Sequence, residues 1–450
     1  RPGLRPTAVT ATPGDGAGDL APGYFFISPK RGPGVNGSLI VDDTGEPVYF
    51  FPTEVAIEQT YDFKVVAYQG EPHLIWWQGD VVRGHGFGHW VIKDNTYETV
   101  QTIRIGNGYY GGDLHDIAFT DRGTVLVGTY STIVWDLASY GGTGEDTVID
   151  NIIQEIDLAN GAVWREWHCL DEIGLDESQI EPAFEEDSGA FDYFHFNSVA
   201  EDDDGNCIVS ARNTSAIYKI DAQSGAVIWR LGGTSSDFAQ DEETITAWQH
   251  DARPHPDGTL SIFDNSADPP VREMSRGLVL RLDTDGMRAT VERQIEHPDK
   301  ISAGSQGNFQ LLRNGNAVIG WGAQPRVSEF NADGELLLDL AYPEGRESYR
   351  AYKFEWTGMP SERPALAIDP QDDGGVSIAV SWNGATEVAS WQPLSGDDAD
   401  ALAPLGEPVP KRGFETQFTL VQAPNVLALD ALDAAGNAIG RTRIVDLTAG

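Results

Sequence analysis

A hairpin unit recurs along this chain at similar intervals, and the repeat restricts the folds available to it. Each copy has two runs of alternating apolar residues around a turn in which Asp or Asn precedes a Gly, the second copy being the least regular. The turn residues of the six copies are Asp42, Asp94, Asp157, Asp221, Asp283 and Asn331. Successive copies are 52, 63, 64, 62 and 48 residues apart. Repeats of this length that contain short strands are typical of β-propeller blades.

A second hairpin lies between successive turns. These hairpins occupy residues 62–77, 115–130, 197–212, 250–265 and 308–321. Each unit therefore contains about four short strands, and the six units predict an all-β fold with a six-bladed β-propeller over residues 22–362. Residues 349–356 are expected to return and complete the first blade beside residues 24–27. Helix is scarce, and short helical turns are expected only in the acidic segment 170–184.

The two ends of the chain differ from the repeat. Residues 1–21 are rich in Pro, Gly, Ala and Asp, and we expect an N-terminal arm without a core of its own. After Pro360, six short strand-like runs predict a small, immunoglobulin-like C-terminal β-sandwich over residues 363–450. We expect this domain to pack against the propeller as a structural element, and adhesion to carbohydrate or to a surface is the alternative.

The charge of the chain excludes several kinds of partner. With 30 basic and 70 acidic residues, the formal net charge of −40 argues against nucleic-acid binding. No apolar run approaches the roughly 18 residues of a membrane span. Only seven basic residues are Lys, and an acidic, Lys-poor surface suits a high-salt environment, with an acidic secreted protein from a GC-rich genome as the alternative. Because Arg1 opens the chain, we expect a removed leader and a secreted or extracytoplasmic location.

The chain has two cysteines, Cys169 and Cys207, which fall near or on predicted strands. Cys169 ends one hairpin and Cys207 opens the second strand of the next unit, so we expect the two to be within disulfide reach. A single disulfide would suit an oxidising compartment. Two buried free thiols are the alternative. The sequence contains no cysteine-based metal motif.

Polar residues occupy one equivalent position of the repeat. His115, Asn197 and His250 each stand eight residues before a turn glycine, and Asn308 stands seven before one. The first strand of every propeller blade lines the central channel, so equivalent positions on successive blades surround the axis. We therefore expect the first three side chains to converge at one mouth of the channel.

Two further residues belong to this predicted cluster. His195 lies two residues before Asn197 and is expected on the same strand face. Arg212 lies fifteen residues after Asn197, and the intervening turn brings its strand back beside the first. Three imidazoles and a guanidinium form a donor-rich, partly cationic cavity within a protein of strongly negative charge. This contrast suggests an anionic substrate such as a sulfate, phosphate or carboxylate.

A zinc site built from His115, His195 and His250 is an alternative for the same cluster, since three imidazoles can bind zinc. Arg212 would be an unfavourable neighbour for a cation, and no local ligand spacing supports such a site. We therefore expect no metal and no other cofactor.

Neighbours of the cluster have simpler expected roles. Asp116 and Asp251 directly follow two of the histidines, so they should face the other way and act as hydrogen-bond acceptors. His85 and His89 lie in a Gly-rich loop and are expected to help form the wall of the site.

The motifs around these residues resemble the arylsulfotransferase family, more the fungal and actinobacterial type than the enterobacterial one. The matching stretches are residues 114–117 (LHDI), 194–199 (FHFNSV), 209–212 (VSAR), 227–233 (VIWRLGG) and 248–253 (WQHDAR). The similarity covers most of residues 23–357. We expect a departure from the enterobacterial enzymes, with a C-terminal sandwich in place of their large N-terminal one.

The resemblance implies a six-bladed propeller that moves a sulfuryl group from an aryl sulfate donor to a phenolic acceptor without the nucleotide donor PAPS. A channel histidine of the family is transiently sulfurylated, and His250 matches that nucleophile. His115, His195, Asn197 and Arg212 match the residues that hold the sulfuryl oxygens and assist proton transfer. The alternative functions are a propeller lyase or hydrolase for acidic polysaccharides, and a binding protein for anionic ligands that has lost turnover.

Overall fold

The regular secondary structure of the described residues is almost entirely β-strand, which agrees with the all-β class predicted from the sequence. A computed structural model describes residues 4–53, 58–184 and 189–448, so the outermost residues of the predicted arm and C-terminal domain lie outside the described residues. Within these ranges the helical segments are α1 (Cys169–Glu172) and three short 3-10 turns at Ala138–Tyr140, Leu175–Glu177 and Glu242–Thr244. No helix in the described ranges is long and apolar enough to span a membrane.

Six sheets follow one another along the repeat. The arm contributes β1 (Thr10–Pro13), and the first sheet contains β2 (Tyr24–Ile27), β3 (Asn36–Val41) and β4 (Pro47–Thr53). The second sheet contains β5 (Gln59–Tyr68), β6 (Glu71–Val82), β7 (His85–Lys93) and β8 (Thr99–Ile103). The third sheet contains β9 (Ile117–Phe119), β10 (Thr124–Trp135), β11 (Asp146–Asp157) and β12 (Val163–His168).

The next three sheets have the same organisation. The fourth sheet contains β13 (Phe196–Glu201), β14 (Cys207–Ala211), β15 (Ala216–Ile220) and β16 (Val227–Gly232). The fifth sheet contains β17 (His250–Pro254), β18 (Thr259–Asp264), β19 (Arg276–Asp283) and β20 (Arg288–Glu296). The sixth sheet contains β21 (Asn308–Leu311), β22 (Ala317–Gly320), β23 (Arg326–Phe330) and β24 (Leu336–Ala341), and β25 (Ala351–Phe354) follows it.

Strand β25 returns to the first sheet. It pairs antiparallel with β2, with Ala351 opposite Ile27 and Phe354 opposite Tyr24, so the sheet order is β25-β2-β3-β4. This pairing agrees with the return predicted for residues 349–356. At the other end, β1 pairs antiparallel with β24 and adds a fifth strand to the sixth sheet. The N-terminal arm is therefore held by backbone hydrogen bonds at an outer sheet edge.

Each sheet shares a buried apolar core with the next one in the chain. The pairs that represent these cores, from the first contact to the last, are Phe26 with Trp76, Trp77 with Ile117, Ile153 with Val199, Trp229 with Leu260, Val279 with Phe309, and Val327 with Leu39. The last pair joins the sixth sheet to the first. Burial of one such side chain contributes about 1.5–3 kcal/mol, so the succession of cores holds neighbouring sheets together.

The strands nearest the centre are irregular. Strands β5, β13 and β17 each shift register, after Tyr61, Phe196 and His250 respectively. Asp62 and Asp251 lie within two of these irregularities and have φ angles of 52° and 56°. A bulge of this kind interrupts the alternation of side chains between the two faces of a strand. It therefore changes which residues face the centre of the molecule.

An ion cluster is buried where these strands meet. Its members are the carboxylates of Asp62, Asp116 and Asp251 and the cations of Lys64, Arg253 and Arg350. Arg350 Nη1 lies 3.2 Å from Asp62 Oδ1 and 3.1 Å from Asp116 Oδ1. Burial raises the pKa of Asp116, but the charges of its cationic neighbours outweigh burial and hold that pKa below its usual range. Three charges of each sign allow the cluster to be buried.

The C-terminal residues form two further sheets. One contains β26 (Ala365–Pro370), β27 (Val376–Ser381) and β31 (Thr416–Leu420). The other contains β28 (Ser390–Gly396), β29 (Ala403–Pro404), β30 (Val409–Pro410), β32 (Val426–Leu432), β33 (Ala438–Arg441) and β34 (Val445–Asp446). The two sheets share one core in which Ile378, Trp391 and Leu429 are buried. The side chain of Asn383 also exchanges two hydrogen bonds with the backbone of Phe50, which ties these sheets to the first sheet.

The predicted disulfide is absent, because Cys169 and Cys207 are both free thiols. The Cys169 sulfur accepts a hydrogen bond from the backbone N–H of Asn151 at 3.1 Å and lies 3.5 Å from Asp150 Oδ1. Cys207 instead lies on β14 between the partner strands β13 and β15. Both side chains pack against the same apolar core, yet the bond is not formed, so the alternative of two free thiols holds, with Cys169 buried and Cys207 partly buried. Burial raises the pKa of both, that of Cys207 to about 12.

Candidate active site

One cavity of about 230 Å³ is lined by residues from or beside all six sheets. Four of the five predicted site residues line it, namely His115, His195, Arg212 and His250. His250 is the first residue of β17, whereas the other three lie next to the ends of β9, β13 and β14. His115 and His250, which occupy equivalent positions of the repeat, thus line the same cavity, and all three imidazoles are almost completely buried.

Asn197, the fifth predicted residue, does not line the cavity. It is fully buried, and its side-chain N–H donates a hydrogen bond of 2.7 Å to the backbone oxygen of Gln249. The prediction placed it on the same strand face as His195 because the two residues are two positions apart. His195 has a φ of 57° and the register shifts after Phe196, so the expected alternation fails at this point. Asn197 instead braces β13 against the strand that carries the next histidine.

His115 is held by a carboxylate. Its Nδ1 lies 2.5 Å from Asp113 Oδ1, and its backbone N–H donates to the same oxygen at 2.8 Å. The other oxygen of Asp113 accepts the backbone N–H of Gly86 at 2.7 Å. A carboxylate accepts hydrogen bonds, so the proton of His115 resides on Nδ1 and the lone pair of Nε2 is available to the cavity.

His195 is also held by a carboxylate, which it shares with His85. Asp192 Oδ2 accepts a hydrogen bond from His195 Nδ1 and another, at 2.8 Å, from His85 Nε2. Burial and the charge of Arg212 lower the pKa of His195 well below its usual value, against the opposing effect of Asp192. Burial lowers the pKa of His85 too, but Asp192 and Asp113 outweigh it and the net pKa is raised. His195 is thus neutral in the resting site, with its second nitrogen free.

His250 is held by neutral groups. Its Nδ1 lies 2.7 Å from the side-chain oxygen of Asn265 and 2.9 Å from the backbone oxygen of Trp248. Both partners accept, so Nδ1 carries the proton. The lone pair of Nε2 receives only a long hydrogen bond, 3.3 Å, from the backbone N–H of Gln306. This contact is weak enough for a ligand to displace.

The surroundings of His250 keep its imidazole neutral. Burial lowers its pKa to about 3, and the positive charges of Arg212 and Arg350 act in the same direction. The hydrogen bond to Asn265 opposes these effects but does not overcome them. A neutral, buried imidazole with a weakly engaged Nε2 has the properties of a nucleophile.

Three cations also line the cavity, namely Lys30, Arg31 and Arg212. Arg212 has its guanidinium carbon 4.6 Å from the centroid of the Trp248 ring, and burial lowers its pKa. Lys30 and Arg31 both contact Glu347, at 2.5 Å and 2.9 Å. Burial lowers the pKa of Lys30 to about 8. The excess of positive charge suits an anionic ligand.

Three potential metal ligands lie close together, but they are not the three histidines named in the zinc alternative. His85, Asp192 and His195 each offer one potential ligand atom, and these three atoms all lie within 4.8 Å of one another. Hydrogen bonds between the carboxylate and the two imidazoles account for this closeness. Asp192 Oδ1 is buried and has no hydrogen-bond partner among the described residues.

The residues predicted to lie beside the cluster are found partly as expected. Asp116 and Asp251 belong to the central ion cluster and face away from the imidazoles, as expected from their positions. His85 supports the wall, since its ring centroid lies 4.3 Å from that of Tyr130 and 5.4 Å from that of His195. His89 is not part of the cavity lining.

Sequence reasoning missed several residues of the site. These are Lys30, Arg31, Asp113, Tyr130, Asp192, Asn265, Gln306 and Tyr349. One signal identifies some of them: the spacing of fifteen residues that led from Asn197 to Arg212 also leads from His115 to Tyr130 and from His250 to Asn265. An Asp two or three residues before His115 and His195 is a second signal.

Comparison with known proteins gives a family. The site and fold define an all-β protein whose central cavity combines imidazoles with cations and is suited to anionic ligands. The profile of the arylsulfotransferase (ASST) family matches residues 64–342, more than half of the chain. This chain belongs to the arylsulfotransferase family, and its membership supports an aryl sulfotransferase-type function with small-molecule substrates. No curated protein matches the sequence.

Similar solved structures include propellers, at low similarity. A Bacteroides caccae protein of unknown function is 12% identical, with 74% of this chain and 98% of that chain covered and a TM-score of 0.44. Virginiamycin B lyase from Staphylococcus aureus with quinupristin is 11% identical, with 78% and 84% covered and a TM-score of 0.33. The Dos1 propeller is 12% identical, with 76% and 72% covered and a TM-score of 0.32. At these values the matches carry no argument about function.

Proposed function

We propose that the protein is an aryl sulfotransferase that moves a sulfuryl group from an aryl sulfate to a phenol through a sulfo-histidine intermediate. In this proposal residues 22–362 form a six-bladed propeller around the cavity, with one sheet per blade. The C-terminal sheets over residues 363–450 form an accessory β-sandwich. The succession of six apolar cores that leads from the sixth sheet back to the first supports the blade count.

The donor half-reaction uses His250 as the nucleophile. Its Nε2 lone pair attacks the sulfur of the aryl sulfate, the N–S bond forms, and the S–O bond to the aryl group breaks. The electron pair leaves with the aryl oxygen as phenolate. Arg212 offsets the negative charge on the sulfuryl oxygens as the group moves, and a fixed donor in a buried site stabilises such charge better than water does.

The acceptor half-reaction needs a base. The free Nε2 of His115 or His195 takes the proton of the incoming phenol, whose oxygen then attacks sulfur. The N–S bond breaks and its electron pair returns to His250. The carboxylates of Asp113 and Asp192 stabilise the imidazolium that this proton transfer creates.

One observation carries the proposal: three buried imidazoles and a guanidinium line one small cavity, and two of the imidazoles are backed by carboxylates whereas the third is not. Bases and a nucleophile are thus within reach of one anionic group.

The test is turnover of a chromogenic aryl sulfate with a panel of phenols at low and high salt. We expect ping-pong kinetics, with a burst of released phenol before any acceptor is added. Mass spectrometry after treatment with donor alone should find one sulfuryl group on a peptide that contains His250. Binding of aryl sulfates without turnover would favour a binding protein, and cleavage of an acidic polysaccharide would favour the lyase or hydrolase alternative.

A further inference from the structure

The three imidazoles of the cavity rest on two kinds of partner, carboxylate and amide. The Nδ1 of His115 and that of His195 face the carboxylates of Asp113 and Asp192. The Nδ1 of His250 faces the amide oxygen of Asn265. Each neutral imidazole donates its Nδ1–H to its partner. Only the side-chain partner of His250 carries no negative charge. This difference separates His250 from the two other imidazoles of the cavity.

The orientation of Asn265 is fixed by two carbonyl groups. Its side-chain N–H groups donate hydrogen bonds to the backbone oxygens of Ala303, at 2.8 Å, and of Gln306, at 2.9 Å. The amide oxygen must therefore point at His250. A carboxylate here would place an oxygen against two carbonyl oxygens and is disfavoured. The fold thus selects a neutral group behind this imidazole.

We propose that Asn265 is a positioning residue whose neutral amide makes His250 the nucleophile and keeps the sulfurylated ring protonated and reactive. This inference rests on the proposed function. The carboxylate partners of His115 and His195 suit proton transfer instead. The group behind each imidazole thereby decides the role of that imidazole.

The first effect of Asn265 is on the tautomer of His250, before any bond to sulfur is formed. It holds the Nδ1–H tautomer, so the lone pair of His250 resides on Nε2, on the cavity side. A carboxylate in its place would favour the imidazolium, which has no lone pair for attack. The other charged or titratable groups that face His250 are Arg212, His115 and Arg350, and none of them favours a second positive charge.

The second effect concerns the intermediate. Attack by Nε2 on sulfur, with loss of phenolate, leaves a sulfurylated imidazolium that still carries the Nδ1 proton. Transfer to a phenol then expels a neutral imidazole, which is a good leaving group. A carboxylate that took up the Nδ1 proton would leave a neutral sulfo-imidazole, and transfer would have to expel an imidazolate. The neutral Asn265 accepts the hydrogen bond without taking the proton.

The ligand-free protein tests the first effect without relying on catalysis. Nitrogen-15 NMR of the imidazole rings, assigned with the His250→Asn protein, should show His250 neutral and protonated on Nδ1 from pH 5 to 8. In Asn265→Asp the same ring should titrate at higher pH. A native ring protonated on Nε2, or one that becomes an imidazolium near pH 6.5, would overturn the inference. If Asn265→Asp does not fold, the native spectrum alone decides this part.

The donor-treated protein tests the second effect. The native adduct should keep its Nδ1 proton, whereas the adduct of Asn265→Asp should lose it and transfer to phenol at least about tenfold more slowly, since each unit of leaving-group pKa expressed in the transition state is worth up to a factor of ten. A native adduct without the Nδ1 proton, or equal adduct lifetimes in the two proteins, would contradict the inference.

Asp192→Asn is the matched control, because it removes a charge where Asn265→Asp adds one. Its Oδ1 position has no hydrogen-bond partner among the described residues, so an amide group fits there without opposing a donor. We expect slower transfer to phenol in this variant, an unchanged His250 tautomer and an adduct that keeps its Nδ1 proton. If donor leaves no adduct on His250 in native protein, the proposed function fails, while the ligand-free spectra still decide whether Asn265 fixes the tautomer.

Discussion

The guanidinium carbon of Arg212 lies 4.6 Å from the centroid of the Trp248 ring, so a residue at the end of β14 rests on one that precedes β17. Trp248 has a φ of 55°, and its backbone oxygen accepts the Nδ1–H of His250. A non-glycine residue in this conformation costs about 1–3 kcal/mol and persists only where its surroundings require it. Trp248 thus positions both the cation and the imidazole of the cavity.

Replacement of this guanidinium should impair transfer even when the charge is kept. In Arg212→Lys the planar, multidentate donor that stacks on Trp248 is lost, because an ammonium is a compact point charge. We expect kcat/KM for the aryl sulfate to fall by about 10², the scale for loss of one donor to developing charge. Steady-state kinetics measure this. Arg288→Lys, in an exposed pair with Asp241, is the control and should leave kcat/KM unchanged.

Loss of the proposed nucleophile should abolish transfer. His250→Asn keeps a hydrogen-bond donor that can reach Asn265 but supplies no nitrogen lone pair for attack, so both the phenol burst and the sulfuryl adduct should disappear. His73→Asn, the same substitution in the β5–β6 hairpin outside the cavity lining, should behave as native. A fully active His250→Asn protein would end this mechanism, and an adduct on another residue would move the nucleophile.

The repeat explains what the sequence could predict. Residues at equivalent positions of successive units have to surround a common axis. The sequence alone therefore predicted that His115 and His250 lie close together at this axis. The return of β25 to β2 followed from the same argument, because the first unit lacked a strand that the others had. Both inferences depend on periodicity, which the sequence displays directly.

Local backbone geometry explains what the sequence could not predict. Asn197 and Asn308 occupy the repeat position of the histidines, yet Asn308 exchanges two hydrogen bonds of 2.8 Å with the backbone of Ala351 and only braces β21. The bulge beside Asn197 depends on a positive φ that no alternation pattern reveals. The cations Lys30 and Arg31 lie in the loop between β2 and β3, and no recurring motif of the sequence identified them.

The buried neutral histidines should make the protein sensitive to acid. The folded pKa of His250 is about 3 and its unfolded value is near 6.5, so between these values the unfolded state binds more protons. Stability therefore rises with pH in this window, and acidification from pH 6.5 to 5 should remove about 2 kcal/mol through His250 alone. His195, whose pKa is also lowered, acts in the same direction.

Unfolding free energies from denaturant titrations at several pH values test this expectation. The slope between pH 5 and 6.5 should be smaller in His250→Asn than in the native protein and in His73→Asn. His85, whose pKa is raised, stabilises the fold below pH 6.5 and loses that contribution as pH rises through its folded pKa, so it adds only a small opposing slope at the upper end of this window. Equal slopes in all three proteins would show that His250 is not a buried neutral group.

Salt should stabilise the protein up to molar concentrations. With a formal net charge of −40, repulsion between surface carboxylates opposes the compact state, and screening relieves it as the Debye length falls from about 10 Å at 0.1 M to about 3 Å at 1 M. Thermal melts in NaCl and KCl should rise alike, because screening depends on ionic strength. Melting temperatures that stay level or fall between low and molar salt would contradict adaptation to a saline environment.

Removal of the central cation should destabilise the fold more than any surface ion pair does. Arg350 is fully buried against Asp62 and Asp116, so Arg350→Met leaves buried carboxylates without a full set of cations. Loss of one partner from a buried pair costs about 3–5 kcal/mol, and denaturant titration should show a decrease of this size in the free energy of unfolding. Arg441→Met, which breaks a half-exposed pair with Asp430, is the matched control and should cost at most about 1 kcal/mol. Similar losses in the two variants would mean that water reaches the centre of the molecule and solvates these charges.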